Sequence, residues 1–288
     1  MKSQIHPATD IGLVSLKIKN LERSITFYTE VIGLKVLKQE GRLAEMTADG
    51  VTPLLILREI EDALVLPERS GAGLYHFAIL VPDRASLGLA VRNLIRHNVP
   101  VGQGDHIVSE ALYLSDPDNN GIEIYADRPR ETWERDSRGH YVMGTDPVDV
   151  EGLLAASEHL QWTGLPAGTV IGHVHFHVSD LKDAEQFYVN LLGFDITAFY
   201  GSMALFISAG GYHHHIGLNT WAGVGVPPVP ENAAGIDYFT LRLPDQKELD
   251  AVVTRLTESG YSITQRDGAL FIKDPFNIGM KLEVKSNS

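Results

Sequence analysis

Histidine and carboxylate carry whatever metal chemistry this chain can do. The sequence has 288 residues, 12 histidines, 37 Asp+Glu and no cysteine. That zero excludes disulfides, thiolate zinc sites, iron–sulfur clusters and cysteine nucleophiles. The histidines cluster: His76 stands alone, His173, His175 and His177 alternate, and His213, His214 and His215 run together. Neutral imidazole and carboxylate suit a borderline divalent ion. Two histidines with one carboxylate leave open positions of the kind non-haem Fe(II) uses to bind substrate and dioxygen together. A lone strand histidine is ordinarily a packed or solvated residue, so the candidates must be argued from the elements that carry them.

Internal repetition supplies that argument. Segment 12–34 (GLVSLKIKNLERSITFYTEVIGL) and segment 172–194 (GHVHFHVSDLKDAEQFYVNLLGF) share G-x-V, an alternating run, N/D-L, F-Y and a glycine stop. Segments 73–98 and 235–260 share a glycine, a strand-like run, Pro-Asp and an amphipathic stretch. Each of this second pair ends in strand–turn–strand, at 112–125 and 270–284. Alternation predicts strands and the 3.6-residue stripe predicts helices. Gly33 and Gly193 suit left-handed helix stops, and Asn120-Gly121 reads as a hairpin turn. The chain is therefore expected to be α+β, with four βαβββ modules over about 10–58, 72–126, 171–220 and 234–285. The modules group as an N-terminal pair (1–130), a charged linker (131–170) and a C-terminal pair (171–288).

Equivalent positions in the modules can then be compared. The first-strand position holds Leu13, His76, His173 and Tyr238, and the last-strand position of modules two and four holds Glu123 and Lys281. In module three the last strand is expected to carry His213, His214 and His215, with neighbours facing opposite ways. A protonated lysine cannot bind a metal, so ligand-capable residues collect in modules two and three. His76, Glu123 and His173 are the candidate ligands. Pairing module two with module three completes the set, whereas pairing within each half would leave incomplete sets; the sequence permits both, and the cross pairing is the arrangement expected.

Residues 104–123, GDHIVSEALYLSDPDNNGIE, carry a longer motif: Gly104, His106, Leu112, Tyr113, Asp116, Pro117 and Glu123. This resembles the extradiol dioxygenase signature, with Asn119 where that family usually has Gly or Pro. The four-module pattern resembles the vicinal oxygen chelate superfamily, which includes glyoxalase I, bleomycin resistance proteins and extradiol dioxygenases. The whole architecture also resembles the two-domain catechol 2,3-dioxygenases of Bacillus and its relatives. One departure is that well-studied two-domain members carry the signature in the last module. The resemblance implies His76, Glu123 and His173 as iron ligands, His214 as the acid–base group, and His106 and Tyr113 beside the substrate. It implies Fe(II), with Mn(II) as the other candidate ion. The substrate would be a small aromatic diol, catechol or a substituted catechol, cleaved with O2 to a 2-hydroxymuconic semialdehyde. The same scaffold also serves glyoxalase-like metal-dependent isomerases or lyases and non-catalytic ligand-sequestering proteins, which stand as alternatives.

The net charge of −13 repels phosphate backbones and anionic lipid, so neither nucleic acid nor membrane is expected as a partner. No apolar run approaches a membrane span, and the first ten residues lack a signal-like apolar core. A cytoplasmic protein is expected, assembling as a homo-oligomer through its sheet edges.

Overall fold

The computed structural model describes residues 4–285. Module one is β1 (Asp10–Ile18), α1 (Leu21–Thr26), β2 (Lys35–Glu40), β3 (Leu43–Thr47) and β4 (Pro53–Glu59). Module two is β5 (Gly73–Leu80), α2 (Arg84–Arg96), β6 (Gly102–Asp105), β7 (Ser109–Ser115) and β8 (Gly121–Asp127). The connecting segment contains α3 (Val150–Ala156). Module three is β9 (Val170–His177), α4 (Leu181–Ala184), β10 (Asp195–Tyr200), β11 (Ala204–Ser208) and β12 (Ile216–Asn219). Module four is β13 (Gly235–Leu243), α5 (Gln246–Glu258), β14 (Thr264–Arg266), β15 (Ala269–Lys273) and β16 (Gly279–Val284). The α+β architecture and the four repeats are those the sequence led us to expect. Among the described residues no helix is long and apolar enough to cross a membrane.

The strands form two eight-stranded mixed sheets. One has the order β14-β15-β16-β13-β1-β4-β3-β2 and joins modules four and one; the other, β10-β11-β12-β9-β5-β8-β7-β6, joins modules three and two. Each sheet thus draws on both halves of the chain. The seams are antiparallel, β1 with β13 and β5 with β9. Val14 and Leu16 of β1, Phe77 of β5, Val174 and Phe176 of β9 and Phe239 of β13 are fully buried in one hydrophobic core. The rings of Phe176 and Phe239, one from each sheet, lie 5.3 Å apart. Removing this apolar area from water holds the sheets together, and the opposite faces are left for polar residues.

Consecutive modules are locked by the repeated Phe-Tyr and Asp-Pro motifs. Tyr28 Oη donates to Asp116 Oδ2 at 2.9 Å, and its repeat partner Tyr188 Oη donates to Asp274 Oδ2 at 2.9 Å. Both tyrosines lie in π-helical turns (Phe27–Ile32 and Glu185–Leu191) that extend α1 and α4. The 3.6-residue stripe gave no sign of these wider turns. Gly33 and Gly193 end them at φ +91° and +94°, as a left-handed stop requires.

The two carboxylates differ in one donor. Asp116 Oδ2 also accepts from Asn120 Nδ2 at 2.9 Å, whereas isoleucine stands at the equivalent position 278. Burial raises both carboxyls, and Asp274 is pushed from 3.8 to about 7. The folded protein therefore binds a proton at Asp274 more tightly than the unfolded chain does. Its contribution is fully present below pH 4 and is lost as pH rises towards 7, by roughly 4 kcal/mol in all. Asp274→Asn should flatten this part of the stability–pH curve. Urea melts of both proteins at pH 4.5 and pH 8 check it: the native midpoint should fall relative to the variant's at the higher pH.

Candidate metal centre

Register explains why three distant residues meet. In the β5–β9 ladder Ala78 faces His173, and in the β5–β8 ladder Ala78 faces Glu123. The small Ala78 side chain sits between two long ones, so carboxylate and imidazole can converge above it. His76 lies two residues earlier on the same face of β5. His76 Nε2 is 3.0 Å and His173 Nε2 3.1 Å from the same oxygen, Glu123 Oε2. The three residues are 4 %, 3 % and 1 % exposed in the order His76, Glu123, His173, too buried to be solvated strand residues. Among the described residues they are the one group of three or more potential ligands whose donor atoms lie within 4.8 Å of one another.

Close backbone approach accounts for the glycines in both strand motifs. A Cβ on Gly172, next to His173, would meet Tyr125 Oη at 1.8 Å, and one on Gly121, two residues before Glu123, would meet the Tyr75 carbonyl oxygen at 1.9 Å. The hairpin turn differs from the expectation. Its left-handed residue is Asn119, at φ +63°, and Asn120 instead turns its side chain inwards to Asp116. Gly121 is there for space rather than for the turn.

The donor set fits a divalent ion. Burial alone would raise the Glu123 carboxyl, but the facing imidazoles of His173 and His76 overcome this and hold it well below the usual carboxylate range. Burial keeps both histidines neutral. An ionised carboxylate with two neutral imidazoles is the form that binds a metal. His173 Nε2 makes a hydrogen bond to Glu123, but the direction of His76 Nε2 does not allow one, and this buried nitrogen has no partner. A buried unsatisfied nitrogen costs about 1–3 kcal/mol; a coordinated ion removes that cost.

Two further histidines have their tautomers set by neighbours. His106, in the turn between β6 and β7, places Nδ1 2.8 Å from the carbonyl of Gly144 and Nε2 2.6 Å from Tyr113 Oη. A carbonyl only accepts, so Nδ1 carries the proton, Nε2 accepts, and the phenol donates to it. Burial holds the Tyr113 phenol well above its ordinary value, so it stays protonated. Tyr113 lies beside His76, ring centroids 5.5 Å apart.

On the other side stands the histidine run. The run lies outside the strand that the sequence pattern assigns it to, because β12 begins only at Ile216. The three residues form the turn before it, so neighbours need not alternate. The His214 ring lies 4.1 Å from the His173 ring. His215 is used structurally, its Nδ1 accepting the Ala209 N–H at 3.2 Å. His213 Nε2 lies 2.9 Å from Asp127 Oδ1, and its Nδ1 lies 2.7 Å from His214 Nδ1. The Asp127 carboxylate accepts from His213 Nε2–H. With that proton on Nε2, His213 Nδ1 accepts from His214 Nδ1–H, which leaves His214 Nε2 as the bare nitrogen. Burial, then the neighbouring imidazoles His173 and His213, keeps His214 well below the ordinary histidine value.

The sequence reasoning missed Asp127, which sets this chain of tautomers. Period two from Glu123 puts Tyr125 and Asp127 on the ligand face, so the signal was available. His175 and His177 do share the face of His173, as alternation required. Asn219 ties them, its Nδ2 donating to His175 Nε2 at 2.9 Å and its Oδ1 accepting from His177 Nδ1 at 2.6 Å. A cleft of about 230 Å³ reaches the site at His76 and Tyr113, and Tyr75, Ser115 and His177 also line it.

Residues 10–124 and 170–281 match the Glyoxalase/Bleomycin resistance protein/Dioxygenase superfamily. The chain belongs to that superfamily. It is 59% identical over 274 residues, 95% of this chain and 96% of the relative, to a protein of Bacillus subtilis (strain 168) named catechol-2,3-dioxygenase. Glyoxalase I from Zea mays shares the fold with a TM-score of 0.56 at 17% identity, over 96% of this chain and 92% of that one. The cppA protein from Streptococcus pneumoniae TIGR4 does so with a TM-score of 0.57 at 15% identity, over 99% and 100%. Both likenesses concern the superfamily fold alone.

Proposed function

We propose that this superfamily member is an extradiol ring-cleaving dioxygenase. It takes catechol or a substituted catechol and O2 to a 2-hydroxymuconic semialdehyde with Fe(II), or Mn(II) in its place. The observation that carries the reading is the convergence of His76, Glu123 and His173 on one point beside a cleft, with the His106–Tyr113 pair on one side and His214 on the other. The name of the Bacillus subtilis relative supports the choice of chemistry within the superfamily. A divalent ion on this triad would supply Lewis acidity and open positions for diol and dioxygen.

The protein's own groups then have separate tasks. His214 presents a bare Nε2 and takes a proton from a substrate hydroxyl; a positioned neutral imidazole suits that step near neutral pH. The His106–Tyr113 hydrogen bond fixes the phenol, whose oxygen lone pairs face the substrate as acceptors. Burial around the triad keeps bulk water from the reacting ring. A glyoxalase-like isomerase would want a fourth protein ligand, and His214 does not converge with the other three. We take the enzyme to work in the cytoplasm as a homo-oligomer, its copies pairing through the edge strands β2, β6, β10 or β14.

Anaerobic loading with Fe(II), followed by catechol and air, tests the reading. One O2 consumed per catechol, with a yellow ring-opened product, is expected. Isomerisation of a hemithioacetal without oxygen uptake would overturn it.

A further inference from the structure

The repeat that builds the metal centre also builds a second cleft. Leu74, Tyr75, Ser115, Asn119 and His177 line the cleft beside the triad. Their repeat equivalents are Ile236, Asp237, Lys273, Asn277 and Lys17. All five line one cleft of about 210 Å³ on the sheet of modules one and four. It is the counterpart of the first cleft by register, strand for strand. The positions of His173, His76 and Glu123 hold Leu13, Tyr238 and Lys281 there. Lys281 pairs with Glu283 at 2.6 Å, so no metal chemistry is left.

What the second cleft has acquired is positive charge. Lysine replaces the neutral Ser115 and His177, and Arg58 and Arg266 join the lining, against the two carboxylates Asp237 and Glu231. Arg58 is neutralised by Asp237, with contacts of 2.9 and 3.1 Å. Lys273 reaches the exposed Glu231 at 3.4 Å. The other two cations have no such partner. Half-buried Lys17 gives its Nζ proton to the Glu231 carbonyl at 2.8 Å, and Arg266 lies over the Phe271 ring at 5.5 Å. Among the described residues neither has a carboxylate within the 4.0 Å of an ion pair. Burial depresses the Lys17 ammonium; the more distant carboxylates of Asp237 and Glu231 offset this in part, and Arg58 and Lys273 oppose them. A chain of net charge −13 that gathers unneutralised cations in one concavity holds them at an electrostatic cost that a bound anion removes.

We propose that this second cleft is an anion-binding site for a small ligand carrying carboxylate or phosphate groups. A cleft of about 210 Å³ has room for inorganic phosphate or a short organic acid. The site stands apart from the triad, so it does not depend on the dioxygenase reading.

Calorimetric titration of the full-length, metal-free protein with phosphate and, separately, with succinate tests this. Sodium chloride at equal ionic strength is the reference. One bound anion per chain is expected in at least one arm, and the arm that binds tells inorganic phosphate from organic acid. Lys17→Met should weaken binding about tenfold or more, as loss of a charge-assisted contact does, and His76→Ala should leave it unchanged. Arg266→Gln alters an exposed side chain and should also weaken binding; it decides the matter if Lys17→Met does not fold. Heats equal to chloride in both arms would overturn the proposal. So would binding that survives both cleft variants, or binding lost in His76→Ala, which would assign the anion to the first cleft.

Discussion

Replacing Glu123 with glutamine is expected to yield a folded protein that no longer retains Fe(II). The carboxylate is the only anion among the three converging groups, and its Oε2 lies within 3.1 Å of both imidazole Nε2 atoms. A neutral amide is a poor ligand for a hard or borderline divalent ion. Even loss of a group that merely supports a ligand costs 10–100-fold in metal affinity, so loss of the carboxylate should cost at least about a hundredfold. Stability should respond in the opposite sense. A buried carboxylate is expensive to keep ionised, and the amide keeps a carbonyl to accept from His173. The metal-free variant should therefore match the metal-free native protein within about 1–2 kcal/mol in urea melts. Added Fe(II) should stabilise the native protein by about 2.7 kcal/mol at a hundred times its Kd, and the variant hardly at all. A metal-free variant that unfolds much more readily, with metal response intact, would make Glu123 a structural residue.

His214→Phe is expected to separate chemistry from metal binding. Phenylalanine keeps the packing on His173 at 4.1 Å and on Phe206 at 5.0 Å. It removes the only unprotonated ring nitrogen that the Asp127–His213 chain leaves available. General acid–base contributions run to about 10²–10⁴-fold, so turnover should fall by that much while iron content and KM stay near native values. Metal analysis with steady-state oxygen uptake checks both. Loss of iron from this variant would make His214 a fourth ligand and favour the isomerase reading.

The order and bounds of the modules could be read from the sequence because each module repeats the same punctuation: a glycine, an alternating run, a capped helix and a turn. The candidate ligands could be read because they fall on equivalent strand positions. The pairing of modules was less accessible. All four present the same alternating apolar face, so patterning alone permits either arrangement. Only the concentration of His76, Glu123 and His173 in modules two and three pointed to the sheet that forms. The orientation of His213–His215 was out of reach, since it is set by a turn and not by strand alternation. The locking of Tyr28 to Asp116 depends on a π-helical turn that leaves no periodic trace.

The most direct test of the metal centre is anomalous diffraction at the iron edge from crystals grown with Fe(II) under anaerobic conditions. One peak bonded to His76, Glu123 and His173, drawing ligands from both halves of the chain, is the expected result. A metal bound on the sheet of modules one and four, or one that ignores Glu123, would contradict the site described above.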